Sequence, residues 1–198
     1  MGDCLRGAGV ITDWGNITIA PFAVAISSNE AAHGSDYLFN GIPARQADGG
    51  GTVLIRKSIK HLRTGDYSIV GFEDQVCVER KTLEDLFGTL GKGRQRFERE
   101  VERMRQMQFA AIVVEADFRE ICRPADFRPQ WRSRLDPRTV WATIFAWSQR
   151  FPGIHWFPAG SRRLGELATW EILERFWRDR ASETKAPRKK RLQKQANS

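Results

Sequence analysis

Asp66, Glu79 and Lys81 are the residues of this chain whose types and spacing best equip them for joint chemistry. Glu79 and Lys81 stand two apart at the end of a β-prone apolar run, Gln75-Val-Cys-Val-Glu-Arg80, so along a strand their side chains leave by the same face. Asp66 opens the strand-like stretch Tyr67-Ser-Ile-Val70, and a hairpin through Gly71–Asp74 would lay it alongside. Two carboxylates hold a hard divalent cation. Such a cation polarises a phosphate and lowers the pKa of bound water, and a neighbouring lysine orients that water or helps to deprotonate it. An acid pair and a lysine on one sheet face are therefore the equipment of metal-assisted phosphodiester cleavage. Arg80 alternates to the other face, where a salt bridge is expected, and only its backbone carbonyl could reach the metal. Asp85 has two open roles: a near capping box with Thr82, or a direct or water-mediated part in the same site.

Basic residues follow the acids. Lys92, Arg94 and Arg96 surround a Gly-Lys-Gly turn at the start of a helical pattern, where helix N-termini and arginines both favour phosphate. The turn is not a Walker A loop, because Leu86 and Gly93 stand where Gly and Ser or Thr are required. The chain has 198 residues and a formal charge of +8; six Lys or Arg against one Glu give residues 181–198 a charge of +5. Arg188, Lys189, Lys190 and Arg191 form the centre of that tail, a candidate phosphate-binding arm, nuclear address or plain solvated end. Three scattered cysteines argue against a disulfide framework and for a reducing cytosol. No apolar run approaches the roughly 20 residues of a membrane span. The three histidines match no zinc spacing.

The elements that must position these groups are legible in outline. Met1–Asn16 reads as a loose lead-in, residues 17–180 as one domain and residues 181–198 as a disordered tail. Strands are expected at Ile17–Ile26, where Pro21 implies a bend or an edge, and at Thr52–Arg56, Tyr67–Val70, Gln75–Arg80 and Ile154–Phe157. Phe109–Glu115 reads as a strand buried on both faces. Glu30–Gly51 reads mostly as loop. Helices are expected after Thr82, after Gly91, over Pro137–Arg150 with Asp136 as N-cap, and over Leu164–Arg178. Trp141, Phe145 and Ser148 share a helical face expected to pack in the core, as are the tryptophans generally. Strands alternating with helices make a mixed α/β sheet with flanking helices.

The order Gly65-Asp66, Glu79-Arg80-Lys81, Asp85, then Gly91–Glu98 and Ala111–Glu115, resembles the ERCC4-type nuclease domain of the XPF family. That family is a branch of the restriction-endonuclease-like PD-(D/E)xK superfamily, and the resemblance spans residues 17–180. It implies a restriction-endonuclease-like sheet and a Mg²⁺- or Mn²⁺-dependent endonuclease acting on branched or flap DNA in repair or recombination. It also implies homodimerisation and a cytoplasmic, stand-alone nuclease of a bacterial or viral setting. Asp66 and Glu79 are then metal ligands and Lys81 positions the water. The family's first strand ends Asp-x-Arg-Glu, and here Ser27, Asn29 and Glu30 stand in those places. Glu30 matches as a further ligand, but a serine hydroxyl supplies no charge. Two alternatives follow: a DNA-binding module with weakened catalysis, and a nuclease acting on RNA or single strands. Asp36 is the nearby acid available to make good the missing charge.

Overall fold

The apolar alternation along the chain is resolved by a sheet with a separate core on each face. The structure, a computed structural model, describes residues 10–12 and 15–185. Its strands are β1 (Val10–Thr12), β2 (Gly15–Ser27), β3 (Ile42–Pro43), β4 (Thr52–Lys60), β5 (Tyr67–Ile69), β6 (Val76–Lys81), β7 (Phe109–Val114) and β8 (Ile154–Pro158). They form one mixed sheet in the order β3-β4-β2-β5-β6-β7-β8, with β1 also paired to β2. The helices are α1 (Ser28–Ala32), α2 (Leu83–Leu90), α3 (Arg94–Met104), α4 (Phe118–Cys122), α5 (Pro124–Phe127), α6 (Pro137–Arg150) and α7 (Arg162–Lys185). The β6-β7-β8 half is parallel, so its connections must cross over, and α2–α3 and α4–α6 are those crossovers.

Strand β7 shows why both faces are dry. Ala110, Ile112 and Val114 enter a core with Leu86, Phe97 and Ile144, from α2, α3 and α6. Ala111 and Val113 enter the opposite core with Trp170 and Leu173 of α7. Trp170 stacks on Phe22 of β2 at 5.1 Å between ring centroids. The bend expected at Pro21 is a bulge: pairing with β4 jumps from Ile19 to Ala23 because proline has no N–H for the ladder. Among the described residues no helix is long and apolar enough to cross a membrane.

Several expectations need correction. The lead-in through Asn16 is not wholly loose, since Val10–Thr12 pairs antiparallel with Gly15–Ile17. The stretch read as loop, Glu30–Gly51, carries most of α1, the short β3 and a 3₁₀ turn at Gln46–Asp48. Helix α7 continues to Lys185, past the expected tail boundary at 181. Arg188, Lys189, Lys190 and Arg191 lie outside the described residues. The buried face of α6 is Val140, Thr143, Ile144 and Trp147. Trp141 and Phe145 instead form an aromatic cluster with Phe118, and Phe145 stays exposed.

Candidate active site

The Gly65-Asp66 turn is built so that the aspartate joins two strands. Gly65 has φ +74°, and a Cβ there would lie 2.9 Å from the Cys77 Cβ and 3.2 Å from the Val78 carbonyl. Only glycine meets both the left-handed backbone and the close approach. We expect Gly65→Ala to destabilise the fold by about 2 kcal/mol, read from urea unfolding. The Asp66 N–H donates to the Val78 carbonyl, and the Asp66 carbonyl accepts from the Ser27 N–H, each at 2.8 Å. The Asp66 carboxylate Oδ2 accepts from the Arg80 N–H at 2.8 Å. The aspartate thus stitches the end of β2 to the end of β6.

Alternation along β6 then sorts its charged end. Glu79 and Lys81 leave by the face of Cys77, toward α2 and α3, and the Lys81 Nζ sits 2.5 Å from the Glu79 Oε1. That ammonium also lies 4.9 Å from the Phe97 ring centroid. Burial, joined by the nearby Glu79 charge, holds the Asp66 carboxyl well above the usual carboxylate range, against Lys81 and the Arg80 amide. Burial works to lower the Lys81 pKa, but its ion pair with Glu79 prevails and raises it. Arg80 takes the other face. Its guanidinium grips Glu115 at 2.7 and 3.0 Å and Glu30 at 2.9 Å, and lies 5.5 Å from the Tyr37 ring centroid. Burial works against this charge, and the Glu115 and Glu30 partners more than restore it. The Arg80 carbonyl faces the same strand edge as its N–H, toward Asp66.

These groups open on a cleft of about 790 Å³ between the β2–α1 junction, the β4–β5 connection and helices α2 and α3. Glu30, Asp66, Glu79, Arg80, Lys81, Asp85 and Arg96 all line it. Thr82 caps α2: its hydroxyl accepts from the Asp85 N–H at 3.1 Å and donates to the Asp85 carboxylate at 2.8 Å. Arg94 turns away from the cleft, donating to the Thr143 hydroxyl at 3.1 Å with its guanidinium 5.3 Å from the Trp147 ring centroid. Lys92 is exposed on the α2–α3 turn and does not line the cleft. Ser27 accepts from the Asn29 N–H at 3.3 Å and caps α1. Asp36 does not supply the missing charge, because it pairs with Lys57 at 3.6 Å, outside the cleft.

His61, Arg63, Thr64, Glu100 and Arg103 also line the cleft, and nothing in the sequence sets them apart from other polar residues. Glu100 takes hydrogen bonds from the Thr64 hydroxyl and, at 3.3 Å, the Gly65 N–H, so α3 clamps the turn that carries Asp66. Among the described residues no group of three or more His, Cys, Asp or Glu is placed to hold a metal ion by itself. The donor chemistry nonetheless suits Mg²⁺, which keeps several waters and takes one or two carboxylates. Asp66 and Glu79 are two such carboxylates, and the Glu79 charge disfavours that of Asp66.

No curated protein matches the chain. A solved structure, XPF from Aeropyrum pernix, superposes with a TM-score of 0.52 at 21% identity, over 82% of this chain and 68% of that one. At that identity the likeness establishes the fold, a mixed sheet of restriction-endonuclease type flanked by helices. A sequence model of the ERCC4 domain matches residues 43–159, which run from the β3–β4 edge through the Gly65-Asp66 turn and the Glu79-Arg80-Lys81 strand end to the last strand. With more than half of its length inside that match, this chain belongs to the ERCC4 domain family.

Proposed function

We propose that this chain is a metal-dependent DNA endonuclease, acting on branched or flap DNA in repair or recombination. The observation that carries this reading is the half-buried Asp66 carboxyl with buried Glu79 and the Lys81 ammonium beside it, on the wall of an open cleft. Asp66 and Glu79, with the Arg80 carbonyl, would hold Mg²⁺ or Mn²⁺. Bound there, the ion would polarise the scissile phosphate and activate water. Lys81, anchored by Glu79 and carrying its proton, supplies positive charge beside the reacting phosphate rather than acting as a free base. Arg96, Arg103, Arg63 and His61 line the walls and suit contacts to the DNA backbone.

Labelled duplex, flap, four-way junction and single-stranded DNA, with RNA as a control, would be incubated in Mg²⁺ and in Mn²⁺. Cutting of branched DNA that requires the metal is the expected result, and cutting confined to RNA or single strands would redirect the reading. A second reading, a DNA-binding module with weakened catalysis, is favoured by Ser27, whose side chain caps α1 instead of adding a carboxylate. It predicts tight binding and no cutting in either metal.

Glu100 acts on this chemistry through the turn it clamps. Glu100→Ala is expected to lower the cleavage rate by about 10- to 100-fold, as loss of an outer partner does at metal sites. Fluorescence anisotropy should show DNA binding no weaker than in wild type, since the variant removes an acid from the cleft wall.

A further inference from the structure

Beside the catalytic cleft lies a second cavity, of about 420 Å³, between α2 and the segment joining α5 to α6. The two are contiguous, since Glu84 and Gly88 line both. One wall of the second cavity is aromatic: Trp131, half-buried, meets Phe87 edge-to-face with ring centroids 4.7 Å apart. The rest is polar. Arg128 pairs with Glu84 at 2.8 Å, yet its Nε is buried with no hydrogen-bond partner, a donor that a folded protein rarely leaves unmet. Arg132 is exposed at the rim, and its guanidinium donates to the Trp131 carbonyl at 3.0 Å. Between Asp126 and Asp136 the chain holds Arg128, Arg132 and Arg134 and no acid.

We propose that this cavity takes an unpaired nucleotide of the DNA substrate, its base against Trp131 and its phosphate toward Arg132. This rests on the nuclease reading and extends it. The volume lies within the range of small-ligand sites. Aromatic surface with arginine beside it is the combination that holds single-stranded nucleic acid, because every base offers a π-face. Bases inside a duplex are stacked and cannot enter, so the cavity distinguishes DNA carrying a single-stranded arm from blunt duplex.

The test measures binding of the full chain in EDTA, where no metal-dependent cutting occurs, to a blunt duplex and to the same duplex with a single-stranded arm. Wild type should prefer the armed duplex. Trp131→Ala and Arg132→Ala should each weaken armed-duplex binding by about tenfold and leave blunt-duplex affinity unchanged. Because Trp131 also packs against the core, Arg132→Ala and a crosslink provide the independent readout. An arm carrying 5-iododeoxyuridine, irradiated on wild type and mapped by mass spectrometry, should label Trp131. Equal affinity of wild type for both DNAs, equal losses on both in the variants, or labelling elsewhere would overturn the proposal. Preference for the arm without cutting in any metal would sink the nuclease reading and leave this site standing.

Discussion

Asp66→Asn should remove metal-dependent cutting and, in the same protein, raise the melting temperature measured without metal. Both effects come from one carboxylate. The asparagine carbonyl can still accept the Arg80 N–H, so the strand junction is kept while the charge is lost. Loss of a metal-ligating carboxylate removes several kcal/mol of transition-state stabilisation, a rate loss of about a thousandfold or more. The stability gain follows from burial and from Glu79, which raise the folded pKa of Asp66 above its unfolded value. A carboxyl shifted in that direction favours folding at acid pH, where it is protonated in both states. That contribution is lost as pH rises through the raised folded value. Wild type and variant should therefore melt alike in acid and diverge toward neutral pH, with the variant the more stable. Adding Mn²⁺ at neutral pH should raise the wild-type melting temperature and leave the variant's nearly unchanged, and the wild-type gain should shrink on acidification as protons compete for the ligands.

Arg80→Met should unfold the protein more readily than any other single change near the site, by about 3 kcal/mol in urea denaturation. The guanidinium is the shared partner of Glu115 and Glu30, all three side chains are nearly buried, and removing it strands two acids. Arg162, 3.5 Å from Glu115, relieves part of the loss. Arg80→Lys should fall between, because an ammonium keeps the charge but cannot hold both oxygens of Glu115 while reaching Glu30. A result near zero for Arg80→Met would mean that the network contributes little and that the hydrogen bond from the Tyr67 hydroxyl to Glu30 holds α1 in place.

Much of the site was legible because it rests on local rules. Alternation along β6 put Glu79 and Lys81 on one face and Arg80 on the other, and the hairpin from Gly71 brought Asp66 alongside. The caps at Thr82 and Asp136 and the doubly buried β7 were equally readable. What escaped depends on tertiary contact. Glu100 on α3 and His61 and Arg63 on the β4–β5 connection reach the cleft only because distant elements converge there. Arg94 has the same charge and nearly the same position as Arg96, yet about half a turn of helix separates them and points Arg94 at Trp147. Trp141 and Phe145 are placed outside the core by the small helix α4, whose capping box at Asp117–Glu120 no apolar period announced. Strand β4 runs to Lys60 although Lys57, Ser58 and Lys60 carry no strand preference, because pairing with β2 extends it.

The most direct measurement of the central claim is cleavage of one labelled flap DNA in Mn²⁺ by wild type and by Asp66→Asn, with binding followed in parallel. The expected result is cutting by wild type and none by the variant, at comparable affinity for the DNA. Equal cutting by both would place the chemistry away from the Asp66–Glu79–Lys81 group, and binding without cutting by both would mark the site as one that has kept its DNA and lost its reaction.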